Sequence, residues 1–434
     1  MSFLSKIGET FGFQKAAIIL TGTLLAYCLV RCAYNTWFHP LAIFPGPRLA
    51  AISNVYYGRL WLSGRYPWAV EKLFHKYGDI VRIAPNELVF TSPRAYTDIH
   101  ASAVHNREIF TKTDFQDIGE NEPGITAERD PEKHREIAKQ LHPAFAARSL
   151  RRQEEIVHVH IDRFVALIER KESTGESIPV KEWFDWLAFD IAGEMAYGRQ
   201  FENVGQSRAS LFLSTFQRVG PWGTYHQVFK RFPLLHPLVW LLLPPRVVLT
   251  VPTLLRMNRE KVRERLSEHF NKQHNDYINF LLPSSSKQQL PTEDWLTAQA
   301  NVLIVAGFDP MTNLFSSTFY YLLRTPRALA RLNEEIRGQF VSYTDIKAHG
   351  LQSLRYLHAV IEEALRIHTN AAFGQPRKSP GAMVDGVFIP KGVSVYQAIL
   401  EQLLMNTILD RGTNMSVLDN TRPSQFHRAT FFQS

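Results

Sequence analysis

The stretch "HAVIEEALRIH", residues 358–368, decides the fold. Its apolar residues recur at helical spacing, and Glu363 and Arg366, three apart, share one face of that helix. On a solvated surface such an ion pair is worth little. Taken out of water, it is costly unless further partners satisfy it. A Glu-x-x-Arg by itself identifies nothing, so its weight comes from its neighbours.

Upstream, "TPRALARLNEEIRGQF" (325–340) is a helix with Thr325 at the N-cap and Pro326 in the first turn. Before it, "EDWLTAQANVLIVAGFDPMTNLFSSTFYYLL" (293–323) is apolar nearly all round in its middle, the pattern of a buried central helix. "RDPEKHREIAKQLHPAFA", "QEEIVHVHIDRFVALIERK", "WFDWLAFDIAGEMAYG" and "LLRMNREKVRERLSEHFNKQ" are also helical in period. Trp68 to Tyr77 is an amphipathic helix that Gly78 ends. Strand patterns are few. "IVRIA" and "ELVF" alternate as a hairpin around Pro85-Asn86, and "DGVFIPKGVSVYQ" predicts a second hairpin turning at Pro390-Lys391-Gly392. The fold class is mainly α with small β hairpins.

The 434 residues are 45% hydrophobic and 21% charged, which excludes wholesale disorder. A net charge of +8 fits an acidic protein partner or an anionic membrane face. Nucleic acid is the weaker reading, because no basic run is interleaved with aromatics. Residues 16–30, "AAIILTGTLLAYCLV", carry no charge and lie between Lys15 and Arg31. With the following "RCAYNTW" they are long enough to cross a bilayer, and Tyr34 and Trp37 suit its interface. A cleaved signal peptide is the rival, disfavoured by the length of the run. Cys28 and Cys32 are the two cysteines of the chain and fall inside this span, with no His, Asp or Glu beside them to complete a metal site. The expected organisation is an N-terminal segment (1–14), a transmembrane anchor (15–36), a proline-rich linker (37–48), a body (49–397) and a tail (398–434). Within the body, the apolar but proline-broken residues 232–255 are read either as a loop dipping into the membrane surface or as packed core.

Taken with the helix at 358–368, "FPGPR", "HKYGDIVRIAPNELVF", "DYINFLL", "YYLLRTPRALARLNEEIRGQF" and "GQPRKSPGAMVDGVFIPKGVSV" resemble the haem-thiolate monooxygenases, the cytochrome P-450 family, in its fungal microsomal branch. The resemblance runs from about Pro45 to Gln397. It implies a triangular, mostly helical body with a small β domain, in which Glu363 and Arg366 hold the haem-side core through a partner in a later loop. It implies that Arg377 reaches a haem propionate, which the bidentate fork of a guanidinium suits. His134 matches the first position of the family's His/Trp-x-x-x-Arg motif, another propionate contact. The arginine position is Ala138, with Lys139 beside it as a substitute point charge. The plain alternative for His134 is a solvated helix residue.

The family's oxygen-activating groove, Ala/Gly-Gly-x-Asp/Glu-Thr, maps onto Ala306-Gly307-Phe308-Asp309-Pro310. Gly307 leaves room for a ligand, and Asp309 fits the acid of a proton relay. Pro310 has no hydroxyl and cannot donate to the carbonyl of Ala306. Thr312 is the nearest hydroxyl, on the wrong face unless a kink turns it. The family's iron ligand is a cysteine thiolate in a Phe-x-x-Gly-x-Arg-x-Cys-x-Gly loop after the second hairpin, and no cysteine follows Cys32. From Ala398 the tail matches nothing expected, which reads as a truncation by frame shift or misread intron. The resemblance therefore implies a haem-dependent monooxygenase of a small apolar metabolite, anchored to the endoplasmic reticulum membrane with its body in the cytosol. NADPH would supply electrons through a flavoprotein reductase. The alternative is a catalytically inactive pseudo-enzyme that keeps an apolar cavity.

Overall fold

The helix that opens the chain, α1 (Ser2–Ala33), begins well before the expected anchor. Its apolar part, continued through a π-turn at Tyr34–Phe38, gives one stretch, Ile18–Phe38, long and apolar enough to cross a membrane. The computed structural model describes residues 2–100, 108–117, 119, 122–173, 175, 177–233, 235, 241, 244–267, 276–283, 290–370 and 372–398. The tail beyond Ala398, and with it the truncation expected there, lies outside the described residues, as does most of 234–243. The chain divides into two units, one of residues 1–110 and 373–398, the other of residues 111–372.

The first unit holds α1, α2 (Arg48–Ile52), α3 (Val55–Leu62), α4 (Tyr66–Tyr77) and α5 (Pro93–His100). Its main sheet contains β1 (Ile80–Ala84), β2 (Glu87–Phe90), β3 (Arg377–Lys378) and β6 (Ser394–Gln397), in the spatial order β1-β2-β6-β3. β1 and β2 form the expected antiparallel hairpin, with Val81 opposite Val89. Both faces of this hairpin are covered. Tyr57, Tyr66, Val70 and Phe74 pack with Val81, Ile83 and Val89 on one side, whereas Leu41, Ala95 and Ile99 pack with Leu88, Phe90 and Val395 on the other. A strand buried on both faces reads as a continuous apolar run.

The second hairpin also differs from expectation. It is β4 (Ala382–Val384) with β5 (Val387–Ile389), and it turns at Asp385-Gly386, not at Pro390-Lys391-Gly392. Asp385 and Gly386 have φ of 49° and 77°, the pair of positive values a tight hairpin turn demands and Asp-Gly supplies. The Pro-Lys-Gly segment instead passes the chain to β6, which pairs parallel with β2 and antiparallel with β3. Within the linker expected at 37–48, Leu41 is fully buried.

In the second unit, α6 (Pro131–Leu141), α7 (Ala147–Glu172), α8 (Val180–Tyr197), α9 (Leu211–Phe229), α10 (Pro245–Ser267), α11 (Glu293–Arg324), α12 (Pro326–Gln339) and α13 (Arg355–Ile367) match the helical patterns of the sequence. The core sits where α8 crosses α11. Phe189 meets Phe212 and Phe308 edge to face, at ring separations of 5.7 and 5.3 Å. The helix buried nearly all round is α8, while the central helix α11 leaves Val305, Ala306 and Asp309 exposed. α11 runs through Pro310 without interruption.

Candidate functional site

α13 carries the pair from which the sequence was read. The Arg366 Nε and Nη2 atoms each donate to one Glu363 carboxylate oxygen, both at 2.6 Å. This bidentate bond holds Arg366 above its ordinary pKa, against the opposing effect of burial. The two side chains remain 24% and 18% exposed, and α13 is amphipathic, burying Val360 and Ala364. The pair is therefore half-buried, between the solvated and the fully buried case. Glu335 of α12 caps this helix, accepting from the backbone N–H of Tyr356 at 2.8 Å and of Leu357 at 2.9 Å. Arg331 stands over the Tyr356 ring at 4.4 Å. Nothing local in the sequence singles out Glu335, because its partner helix starts twenty residues later.

On α11 the groove residues divide between two sides. A Cβ at Gly307 would lie 3.0 Å from the Ala192 Cβ, so this glycine serves the close approach of α8 and leaves no ligand space there. Thr312 is 3% exposed and donates to the Phe184 carbonyl at 3.4 Å, which also directs it toward α8. Neither lines an open groove, and both expectations are corrected by the same packing. Asp309 lies on the exposed stripe with Ala306. Partial desolvation pushes its carboxyl upward, Asp185 adds to the rise, and Lys181 and Asn313 oppose it. The Asn370 side-chain N–H donates to the Pro310 carbonyl at 3.3 Å, and its Oδ1 is buried without a partner.

The electrostatic neighbour of Asp309 is a buried cluster the sequence reading missed. Asp185 on α8 accepts from Lys181 at 2.9 Å and from Gln217 at 3.1 Å, and Thr312 bonds to it as well. Burial raises the Asp185 pKa and these partners hold it down. The signal was present in "WFDWLAFDIAGEM", where three acids, Asp185, Asp190 and Glu194, interrupt a run otherwise too apolar to face water. Gln299, fully buried on α11, clasps a loop, accepting from Ile125 N–H at 2.8 Å and donating to the Pro123 carbonyl at 3.2 Å.

The residues assigned to haem by resemblance are placed unequally. On α6, His134 is half-buried on the side of Ile137 and Leu141. Lys139 is exposed, about 140° further round the helix at 100° per residue, so it does not share the His134 face. Arg377, on β3 of the other unit, is half-buried. It donates to the Pro376 carbonyl at 3.1 Å and to the Gln375 side-chain oxygen at 3.3 Å. Burial lowers its pKa, and Tyr96 partly offsets this. His100 on α5 is lowered to about 4 by burial and by the Arg377 charge. No carboxylate among the described residues pairs with Arg377, so an anion brought there would relieve both groups.

A family model described as Cytochrome P450 matches residues 50–404. The chain is 38% identical over 372 residues to the cytochrome P450 monooxygenase TwmD of Talaromyces wortmannii, covering 85% of this chain and 72% of that protein. It is 37% identical over 396 residues to poxC of Penicillium oxalicum, covering 90% and 75%. It is 34% identical over 379 residues to BOA3 of Botryotinia fuckeliana, covering 86% and 73%. All three relatives carry the name cytochrome P450 monooxygenase.

Proposed function

The chain belongs to the cytochrome P450 family, an enzyme class of haem-dependent monooxygenases, and on that premise we propose that it serves fungal secondary metabolism as a membrane-held protein that takes a small apolar substrate. α1 anchors it to the endoplasmic reticulum, the body faces the cytosol, and NADPH reduces it through a flavoprotein reductase. The observation that carries the haem reading is Arg377. A half-buried guanidinium whose pKa is lowered by burial, bonded among the described residues to neutral oxygens, suits a haem propionate. His134, in the other unit, is the second candidate contact. Lys139 faces solvent and is not retained. Asp309, on the open stripe of α11, remains the candidate acid for moving protons.

The axial side does not fit. The cysteines of the sequence are Cys28 and Cys32, both in α1 and within the apolar span, so the described residues offer no thiolate to an iron in the body. A second reading is a non-catalytic member that keeps the family's apolar binding site. One pair of measurements separates them. Haem titrated into the 434-residue chain should shift its absorbance, and Arg377→Ala should weaken that binding several-fold. The reduced sample should then show no thiolate-type carbon monoxide band. Such a band would decide for the monooxygenase reading, and its loss on Cys28→Ser or Cys32→Ser would overturn the anchor. Failure to bind haem at all would leave the second reading.

A further inference from the structure

The last turn of α5 and the strand β3 share one face of the main sheet, within the first unit. Arg377 lies directly opposite Val395 in the β3–β6 ladder, and residues paired in an antiparallel ladder project to the same face. Val395 packs there with Ala95 and Ile99 of α5. His100 closes that helix, half-buried, with its ring 4.9 Å from the Tyr96 ring. Burial and the Arg377 charge lower its pKa to about 4, so the ring is neutral near pH 7.

The corner thus sets a base and a guanidinium together with no acid between them. The titratable and charged groups on the elements around it are Arg94, Tyr96 and Asp98 on α5, Arg377 and Lys378 on β3, and Asp385 at the β4–β5 turn. Asp98 is already engaged, accepting from the Asp385 N–H at 3.0 Å and standing 4.0 Å from Arg94. Lys378 is exposed. Arg377 is the charge that bears on His100, and Tyr96 is the group that bears on Arg377.

We propose that His100 is a second basic contact for the haem carboxylate assigned to Arg377, and that it takes up a proton as that carboxylate binds. This rests on the reading of Arg377 as the haem-side arginine and makes its ligand binding sensitive to pH. A carboxylate at this corner offsets the charge that keeps the ring neutral and gives its N–H an acceptor. The proton comes from solvent and stays on the imidazole, and no bond of the ligand breaks. Affinity therefore rises as pH falls through the range in which the liganded ring is protonated and the free ring is not.

The test titrates the 434-residue chain with haem and, separately, with haem dimethyl ester, whose carboxylates are blocked. Calorimetry at pH 6 in two buffers of different ionisation heat counts the protons bound. The parent should take up about one proton per haem, and its haem affinity should rise several-fold between pH 7.5 and pH 6. The ester should bind with no uptake. His100→Gln should bind haem with the uptake lost and the affinity flat over the same range. The parent's contrast between haem and ester decides the matter even where the variant fails to fold. Haem binding without proton uptake, equal uptake with the ester, or uptake that survives in His100→Gln overturns the proposal and spares Arg377. Failure of the parent to bind haem removes the Arg377 reading and this one with it.

Discussion

Two arginine–carboxylate pairs in the helical unit make opposite lessons. Glu363 and Arg366 lie three residues apart on α13, and both stay partly in water. Arg265 and Asp276 lie eleven residues apart, 2.7 Å from each other, with side chains 0% and 1% exposed. Asp276 also accepts from the Asn279 N–H at 2.8 Å. The local pair announces itself in the sequence because helix geometry brings its members together. The deeply buried pair is silent there, because nothing in "RLSEHFNKQHND" says that its ends meet. Depth, and not legibility, sets what each is worth. Leaving one buried charge without its partner costs more than the intact pair contributes.

That contrast can be broken by substitution. Asp276→Ala should destabilise the protein by about 3–5 kcal/mol, because Arg265 would keep its charge in a dry site. Replacing both members with apolar residues of similar volume should recover much of that loss in chemical denaturation. If the single and double variants lose equally, the cost is packing and not charge.

A half-buried base beside a like charge makes a third case. With its pKa lowered from 6.5 to about 4, His100 binds its proton more weakly folded than unfolded. Its contribution is complete above pH 6.5, is lost as pH falls toward 4, and changes no further below that. The loss is on the order of 3 kcal/mol at 1.36 kcal/mol per pKa unit. Melting temperatures of the parent and His100→Gln should diverge between pH 7 and pH 4, the variant falling less. Parallel pH profiles would show that His100 is not desolvated.

Glu363→Ala should cost about 1–3 kcal/mol, the range for a charged hydrogen bond with its partner left half in water. A loss as large as that of Asp276→Ala would erase the distinction between the pairs. At the small end, Lys139→Ala should change stability by less than about 0.5 kcal/mol and leave haem binding unchanged, as expected of an exposed side chain.

The helices were legible because their apolar period is local, and so were the β1–β2 hairpin and the Glu363–Arg366 pair. Failures occur where distant segments decide. The central helix reads as buried all round, yet packing gives that role to α8, whose acids Asp185 and Asp190 have partners on or beyond α9 and in the turn at Asn203. Gly307 and Thr312 match the family's groove positions, but α8 claims the faces they occupy. Lys139 is adjacent in sequence to the expected charge position and on the wrong side of the helix. The turn at Asp385-Gly386 differs in kind, since Asp-Gly between apolar residues is itself a local hairpin signal, stronger here than the nearby Pro-Lys-Gly.

The main sheet of the first unit also sets a timetable. β2 is complete once residue 90 has been made, but its other neighbour, β6, begins at Ser394. At translation rates of about 5–20 residues per second, roughly 300 intervening residues take about 15–60 s to appear. Throughout that interval the edge Glu87–Phe90 carries unspent N–H and C=O groups on an apolar strand, the kind of edge that recruits foreign strands. Sealing comes only when Ala398 N–H reaches the Phe90 carbonyl and the Gln397 amide reaches those of Thr91 and Ser92. A nascent chain stalled before residue 394 therefore holds an open seam at its oldest folded hairpin, and the last described strand is what ends its exposure to aggregation.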